Sequence, residues 1–300
     1  MKVGLLPPLT TAPENAHMLS HPPAWYDAQY NNRARIPEHP AILEHWYDES
    51  VLARKRHSGM VEQAYGEGPA ERLDVFPARH AGSPVLVYIH GGYWRALGKR
   101  DQSFIAPPFV EAGAMVALPG YALCPAVGIE QIVMQMVQAL AWVYRHAAAH
   151  GGDPDRIVVA GHSAGGHLAT MMLACDWRAV AADLPADLVK AALPVSGLYE
   201  LEPLRHAPFL APDLQLTAAS AQRLSPAAMP EPATGRLATV VGGDESEEFL
   251  RQAALIGSVW PRTVIAAERV PGRNHMSVLS ELVDSRSATH RLGLSLLGLM

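Results

Sequence analysis

The chain predicts an α/β protein built on a mostly parallel, doubly wound sheet. Three observations carry that expectation. Short apolar, β-branched runs recur along the 300 residues, each bounded by glycine or proline. Between them lie stretches with apolar residues at three- and four-residue steps. Several of the runs end directly in a small-residue turn holding a nucleophile, an acid or a histidine, as expected at the carboxyl edge of a parallel sheet.

Residues 156–174 organise the rest, reading RIVVAGHSAGGHLATMMLA. Residues 157–160 suit a buried strand and residues 166–174 an apolar-faced helix, with Gly-His-Ser-Ala-Gly between them. A G-x-S-x-G pentapeptide alone is common in a chain with 24 glycines. A strand before it and a helix after it give it meaning. The tight turn lifts the Ser163 hydroxyl clear of the sheet, and the helix start aims free N–H groups at it.

Taken in order, residues 1–20 look like a proline-bearing arm. Residues 21–57 concentrate Trp25, Tyr26, Tyr30, Trp46 and Tyr47 among charges, with a helix expected over 40–55. Its Ile42, Leu43, Trp46, Tyr47 and Leu52 are expected near one face, either as core or as a cover over the substrate entrance. Residues 61–65 and 72–76 read as an antiparallel edge pair across a Gly-Glu-Gly-Pro turn. Residues 85–89 form a buried strand ending in His90-Gly91-Gly92-Tyr93-Trp94, and 113–118 the next strand. Residues 129–150 are an amphipathic helix. Further strands are expected at 188–195, 237–241 and 263–270, with a helix over 245–259. Residues 198–235, with six prolines, interrupt the alternation as a lid-like insertion. The economical division is an N-terminal extension, 1–58, packing over a core of 59–300.

Composition narrows the function. A net charge of −5 with interspersed signs offers no footprint for nucleic acid. No apolar run reaches the roughly 18 residues a membrane helix needs. The N-terminus makes a poor signal peptide, and two cysteines imply no disulfide framework, so the cytoplasm is expected. The expected partner is a small-molecule substrate, with a homodimer left open.

A serine hydroxyl needs a base, and the base needs an orienting acid. His275 follows the last strand and Asp244 the one before it, giving the order Ser163, Asp244, His275. Asp244 is preferred because it stands immediately after the strand and its glycine pair, with Glu245 and Glu247 as rivals. The N–H groups of Gly91, Gly92 and Ala164 are expected to form the oxyanion hole. His162 and His167 flank the nucleophile, but no carboxylate or cysteine completes a metal site. No metal or cofactor is expected.

With HGGYW, GHSAGG, GGDES and NHMSVL in one chain, the sequence resembles the α/β-hydrolase superfamily. Within it, HGGYW, Ser196 to Leu204 (SGLYELEPL), Tyr30-Asn31-Asn32-Arg33 and Glu248 to Gln252 (EFLRQ) resemble the kynurenine formamidase (arylformamidase) and esterase group. That resemblance implies an eight-stranded sheet with the insertion before the penultimate strand. It also implies cofactor-free hydrolysis of an N-formyl arylamine in tryptophan catabolism, with Tyr93, Trp94 and Tyr30 around the ring. A carboxylesterase for short-chain or aryl esters is the alternative, and a non-catalytic ligand-binding protein of the same fold a third. The amino-acid end of such a substrate wants a charged partner, for which Arg95 and Arg273 are the neighbours in sequence.

Overall fold

The computed structural model describes residues 21–57 and 59–300; the expected arm at 1–20 lies outside them. The eight strands are β1 (Val61–Ala64), β2 (Arg72–Phe76), β3 (Ser83–Ile89), β4 (Met115–Pro119), β5 (Gly152–His162), β6 (Val189–Val195), β7 (Arg236–Gly242) and β8 (Val264–Val270). They form one sheet in the order β1-β2-β4-β3-β5-β6-β7-β8. β2 runs against both its neighbours, and every other pairing is parallel.

The continuous apolar runs are explained by two covered faces. Side chains alternate along a strand, so Val85, Val87 and Ile89 enter one core while Leu86 and Tyr88 enter the other. Helices α5 (Ile129–His146) and α6 (Ala164–Leu173) pack into the first core. The α5 stripe Ile132, Met136, Leu140 and Val143 is fully buried. This helix ends in a 3-10 turn and the left-handed Gly151, at φ 82°. The second core is closed by α4 (Ala106–Glu111) and the helix Ala288–Leu297.

The 21–57 segment folds as α1 (Pro23–Tyr30), α2 (Asn32–Arg35) and α3 (His39–Arg56). On α3 the buried positions are Trp46, Ser50 and Ala53, an i, i+4, i+7 stripe. Tyr47 and Leu52, expected on that face, are turned by about 100° per residue into solvent. Arg54 then pairs with the fully buried Asp74 of β2 and bonds Ser103 Oγ at 3.1 Å. A buried carboxylate is costly without partners, and Asp74 is met from a second side by Lys99.

Residues 198–235 are short helical turns rather than a detached flap. Leu198, Leu201, Leu204, Leu210 and Leu214 are buried in the first core. Among the described residues, no helix is long and apolar enough to cross a membrane.

Candidate active site

Parallel pairing delivers the ends of β3, β5, β6, β7 and β8 to one edge. At the end of β5 the chain turns so sharply that Ser163 takes φ 57°, ψ −117°, a conformation that costs a non-glycine residue energy. Its neighbours have no choice of side chain. A Cβ on Gly161 would meet the Gly165 carbonyl oxygen at 2.3 Å, and one on Gly165 would meet the Ile89 oxygen at 2.0 Å. Ser163 N–H still donates to Val195 O at 2.8 Å, so the β5–β6 ladder holds the turn. Ser163 is 2% exposed and lines a cavity of about 320 Å³.

His275 lines the same cavity. Its loop is fixed by Asn274, whose Oδ1 accepts from the N–H groups of Met276 and Ser277 at 3.0 and 2.8 Å. His162 adds a brace, donating from Nε2 to the His275 carbonyl at 2.7 Å. Burial pushes the His162 imidazole down to about 3, which keeps it a neutral donor. His167 likewise donates to Leu224 O at 2.7 Å. The two histidines beside Ser163 thus brace backbone.

The carboxylate that meets His275 is Glu245, not Asp244. Glu245 Oε2 lies 2.6 Å from His275 Nδ1. Its Oε1 accepts from Gly242 N–H at 2.7 Å and from the Ser196 hydroxyl. Asp244 is exposed. The correction has a local cause. A Cβ on Gly242 would meet Arg273 O at 2.3 Å, so the two loops touch there, and Asp244 N–H is used on Arg273 O at 3.0 Å. That bond faces the Asp244 side chain outward. Glu245, one residue on and one methylene longer, reaches back beneath the loop. Ser196, at φ 52°, is its second anchor and had no assigned role in the sequence beyond its motif.

Behind the cavity, His90 stacks on Tyr121 with ring centres 4.1 Å apart, and burial lowers its pKa to about 4. His90 Nδ1 donates to Gly91 O at 2.9 Å, and Tyr121 Oη donates to His90 O at 2.9 Å. In planar trans peptides N–H and C=O point oppositely. Holding both carbonyls this way turns the Gly91 and Gly92 N–H groups away from Tyr121. The backbone there passes so close that a Gly91 Cβ would lie 3.4 Å from Ser163 Cβ. Gly92, at φ 105°, would put a Cβ 2.1 Å from Ala96 O. Ala164 opens α6, whose first N–H groups have no intrahelical acceptor.

Of the three aromatic residues expected around a substrate, Tyr93 lines the cavity. Its hydroxyl donates to the Tyr30 carbonyl at 2.7 Å, and its ring meets Phe209 edge-on at 5.9 Å. Trp94 and Tyr30 do not line it, which corrects the expectation for both. Trp94, at φ 55°, is turned inward against the His167 ring and fully buried. Tyr30 is fully buried too, its hydroxyl donating to Glu248 Oε2 at 2.6 Å. The apolar wall is made instead by Leu43, Trp46, Phe209 and Met276, and the polar rim by Asn31, Asn32, Arg33, Arg95 and Asp213. Trp46 and Arg33 were visible in the sequence only as part of an aromatic helix and of a short motif.

A family model described as BD-FAE matches residues 73–180. The kynurenine formamidase of Danio rerio is 30% identical over 255 residues, covering 82% of this chain and 84% of the relative. Esterase LipQ of Mycobacterium tuberculosis is 34% identical over 154 residues, 46% of this chain and 35% of the relative. A crystal structure from Silicibacter sp., named as a thioesterase candidate, superposes with a TM-score of 0.76 at 31% identity, covering 86% of this chain and 95% of that one. The chain is therefore a hydrolase, and it belongs to the kynurenine formamidase family of α/β-hydrolases.

Proposed function

We propose that the protein is a serine hydrolase that cleaves a small aryl formamide through an acyl-enzyme. The 2.6 Å contact between His275 Nδ1 and Glu245 Oε2, in the wall of the cavity that Ser163 opens into, carries this reading. Ser163 Oγ attacks the formyl carbonyl while His275 Nε2 takes its proton. Glu245 orients the ring and stabilises the imidazolium. The N–H groups of Gly91, Gly92 and Ala164 face the oxyanion, normally the largest catalytic contribution. Collapse of the tetrahedral intermediate breaks the C–N bond as His275 returns the proton to the departing arylamine. Water, deprotonated by His275, then releases formate and restores Ser163.

Residues 1–58 are assigned as an extension to a catalytic unit of 59–300, with 198–235 contributing Phe209 and Asp213 to its cavity. The unpaired Cys124 and Cys175 suit a reducing compartment, the cytoplasm. A carboxylesterase for aryl or short-chain esters is the second reading, supported by the likeness to Esterase LipQ and by the lesser difficulty of ester cleavage at the same groups.

The test is hydrolysis of N-formyl-L-kynurenine beside p-nitrophenyl acetate by wild type and Ser163→Ala. Formamide turnover with the higher kcat/KM, lost in the variant, supports the first reading. Ester turnover alone, lost in the variant, selects the second. Activity that survives in Ser163→Ala refutes both.

A further inference from the structure

We infer that Ser196 is the positioning residue of the Glu245–His275 pair: its hydroxyl fixes the direction of the carboxylate, and that hydroxyl is why a strained backbone position holds a serine. The inference deepens the reading above and rests on the same pair.

Glu245 is a carboxylate with few partners. Its side chain is fully buried, and among the described residues no lysine or arginine meets it. A carboxylate so placed depends on hydrogen-bond donors. Oε2 lies 2.6 Å from His275 Nδ1, so its direction is set through Oε1. Gly242 N–H donates to Oε1 at 2.7 Å from within the same loop. One such bond is a pivot, because the terminal torsion of a glutamate is soft. The Ser196 hydroxyl supplies the second point, and it comes from the end of β6. Other hydroxyls nearby are used elsewhere. Burial first, and then the Glu245 charge, raises the pKa of Tyr93 and Tyr199. Yet Tyr93 Oη donates to Tyr30 O at 2.7 Å, and Tyr199 Oη pairs with Thr239 Oγ1 at 2.7 Å.

The backbone at 196 supports the same assignment. Ser196 is 1% exposed, has φ 52°, and is pinned there by its N–H bond to Val240 O at 2.7 Å. Glycine adopts a positive φ without the strain that a side chain brings. The chain does have a glycine here, but one residue later, where a Cβ on Gly197 would meet Tyr199 Oη at 2.7 Å. Crowding explains Gly197. Only a side-chain role explains a serine at 196, and its hydroxyl meets Glu245.

Ser196→Gly and Ser196→Ala test this together in the intact protein. Both lack the hydroxyl, but only glycine relieves the backbone. A purely structural serine would leave Ser196→Gly at least as active as wild type. A positioning serine makes both variants fall alike, with kcat lower by about ten- to a hundredfold, the range for one hydrogen bond to a charged group. KM should stay within about twofold. The second readout needs no turnover. The His275 Nδ1 proton, held by a buried carboxylate, should give a proton NMR resonance far downfield of the amides, assigned by its loss in Glu245→Gln. In both Ser196 variants it should broaden into the baseline as the carboxylate swings free. A wild-type spectrum without that resonance overturns the inference, as does its persistence unchanged in Ser196→Gly. A kcat that falls in Ser196→Ala but not in Ser196→Gly overturns it too. Failure of the Ser163→Ala test leaves the resonance to be read, so the two readings fall separately.

Discussion

The two sides of the cavity are held by different physics. Ser163, Glu245 and His275 stand on loops that continue the parallel ladder, through Ser163 N–H to Val195 O, Ser196 N–H to Val240 O and Gly243 N–H to Val270 O. The opposite wall comes from residues 31–46 and is fixed by side chains reaching across the chain. Tyr93 bonds Tyr30, Tyr30 bonds Glu248, and Asn274 bonds Glu38 at 3.0 Å. Backbone pairing in a buried sheet tolerates almost any sequence that keeps its period, while side-chain ties depend on each partner. The chemistry is therefore built into the fold, and the wall can be respecified by a few residues.

Substitutions that break the ladder side should cost the most. Glu245→Ala should lower kcat by about 10³–10⁴-fold, the range for losing the orienting acid of a triad. Asp244→Asn should stay within about twofold of wild type, since that side chain is exposed. Equal effects of the two changes in steady-state kinetics would reverse the choice of acid. Next in size, Gly92→Ala combines a φ of 105° with a 2.1 Å collision against Ala96 O. It should cost at least about tenfold in kcat, in the manner of a displaced oxyanion donor, with secondary structure by circular dichroism unchanged.

Acid should loosen the ladder side before the wall. Burial lowers His90 to about 4, His162 to about 3 and His167 to about 4. An unfolded imidazole takes its proton near pH 6.5, so between about pH 6.5 and 4 the unfolded chain binds protons that the native state refuses. This part of the stability is complete above pH 6.5 and is lost as pH falls, by up to about 1.4 kcal/mol per pH unit for each imidazole. Urea midpoints at pH 7, 6 and 5 should decline in that order.

The smallest effect belongs to the wall. Tyr30→Phe removes the bond to Glu248 and should cost about 1–2 kcal/mol of stability. It should raise KM a few-fold through the Tyr93 contact while kcat holds. A fall in kcat with KM unchanged would mean that the wall also supports the chemistry.

Most of the sheet and the strained turn at Ser163 were legible because their signals are local. Ile157 to Ala160 must be buried on both faces, and the glycines around Ser163 are imposed by contacts within one strand–turn–helix unit and with the end of β3. The carboxylate that meets His275 was legible to within one residue. Asp244 and Glu245 both follow the glycine pair, and composition does not say which one the turn faces inward. Trp94 and Tyr30 misled because aromatic residues suit both a pocket and a core, and a φ of 55° buries Trp94.

What the sequence determined by itself, then, was everything carried by periodicity and by steric necessity at short range: the alternating layers, the strained serine turn, and the histidine after the last strand. Tertiary structure alone decided what depends on direction and distance. It set Glu245 under His275 and brought Arg33 and Trp46 into the wall of a cavity shared with a serine more than 100 positions away. Local backbone preferences determine where a side chain begins, but only the packed sheet determines what it can reach.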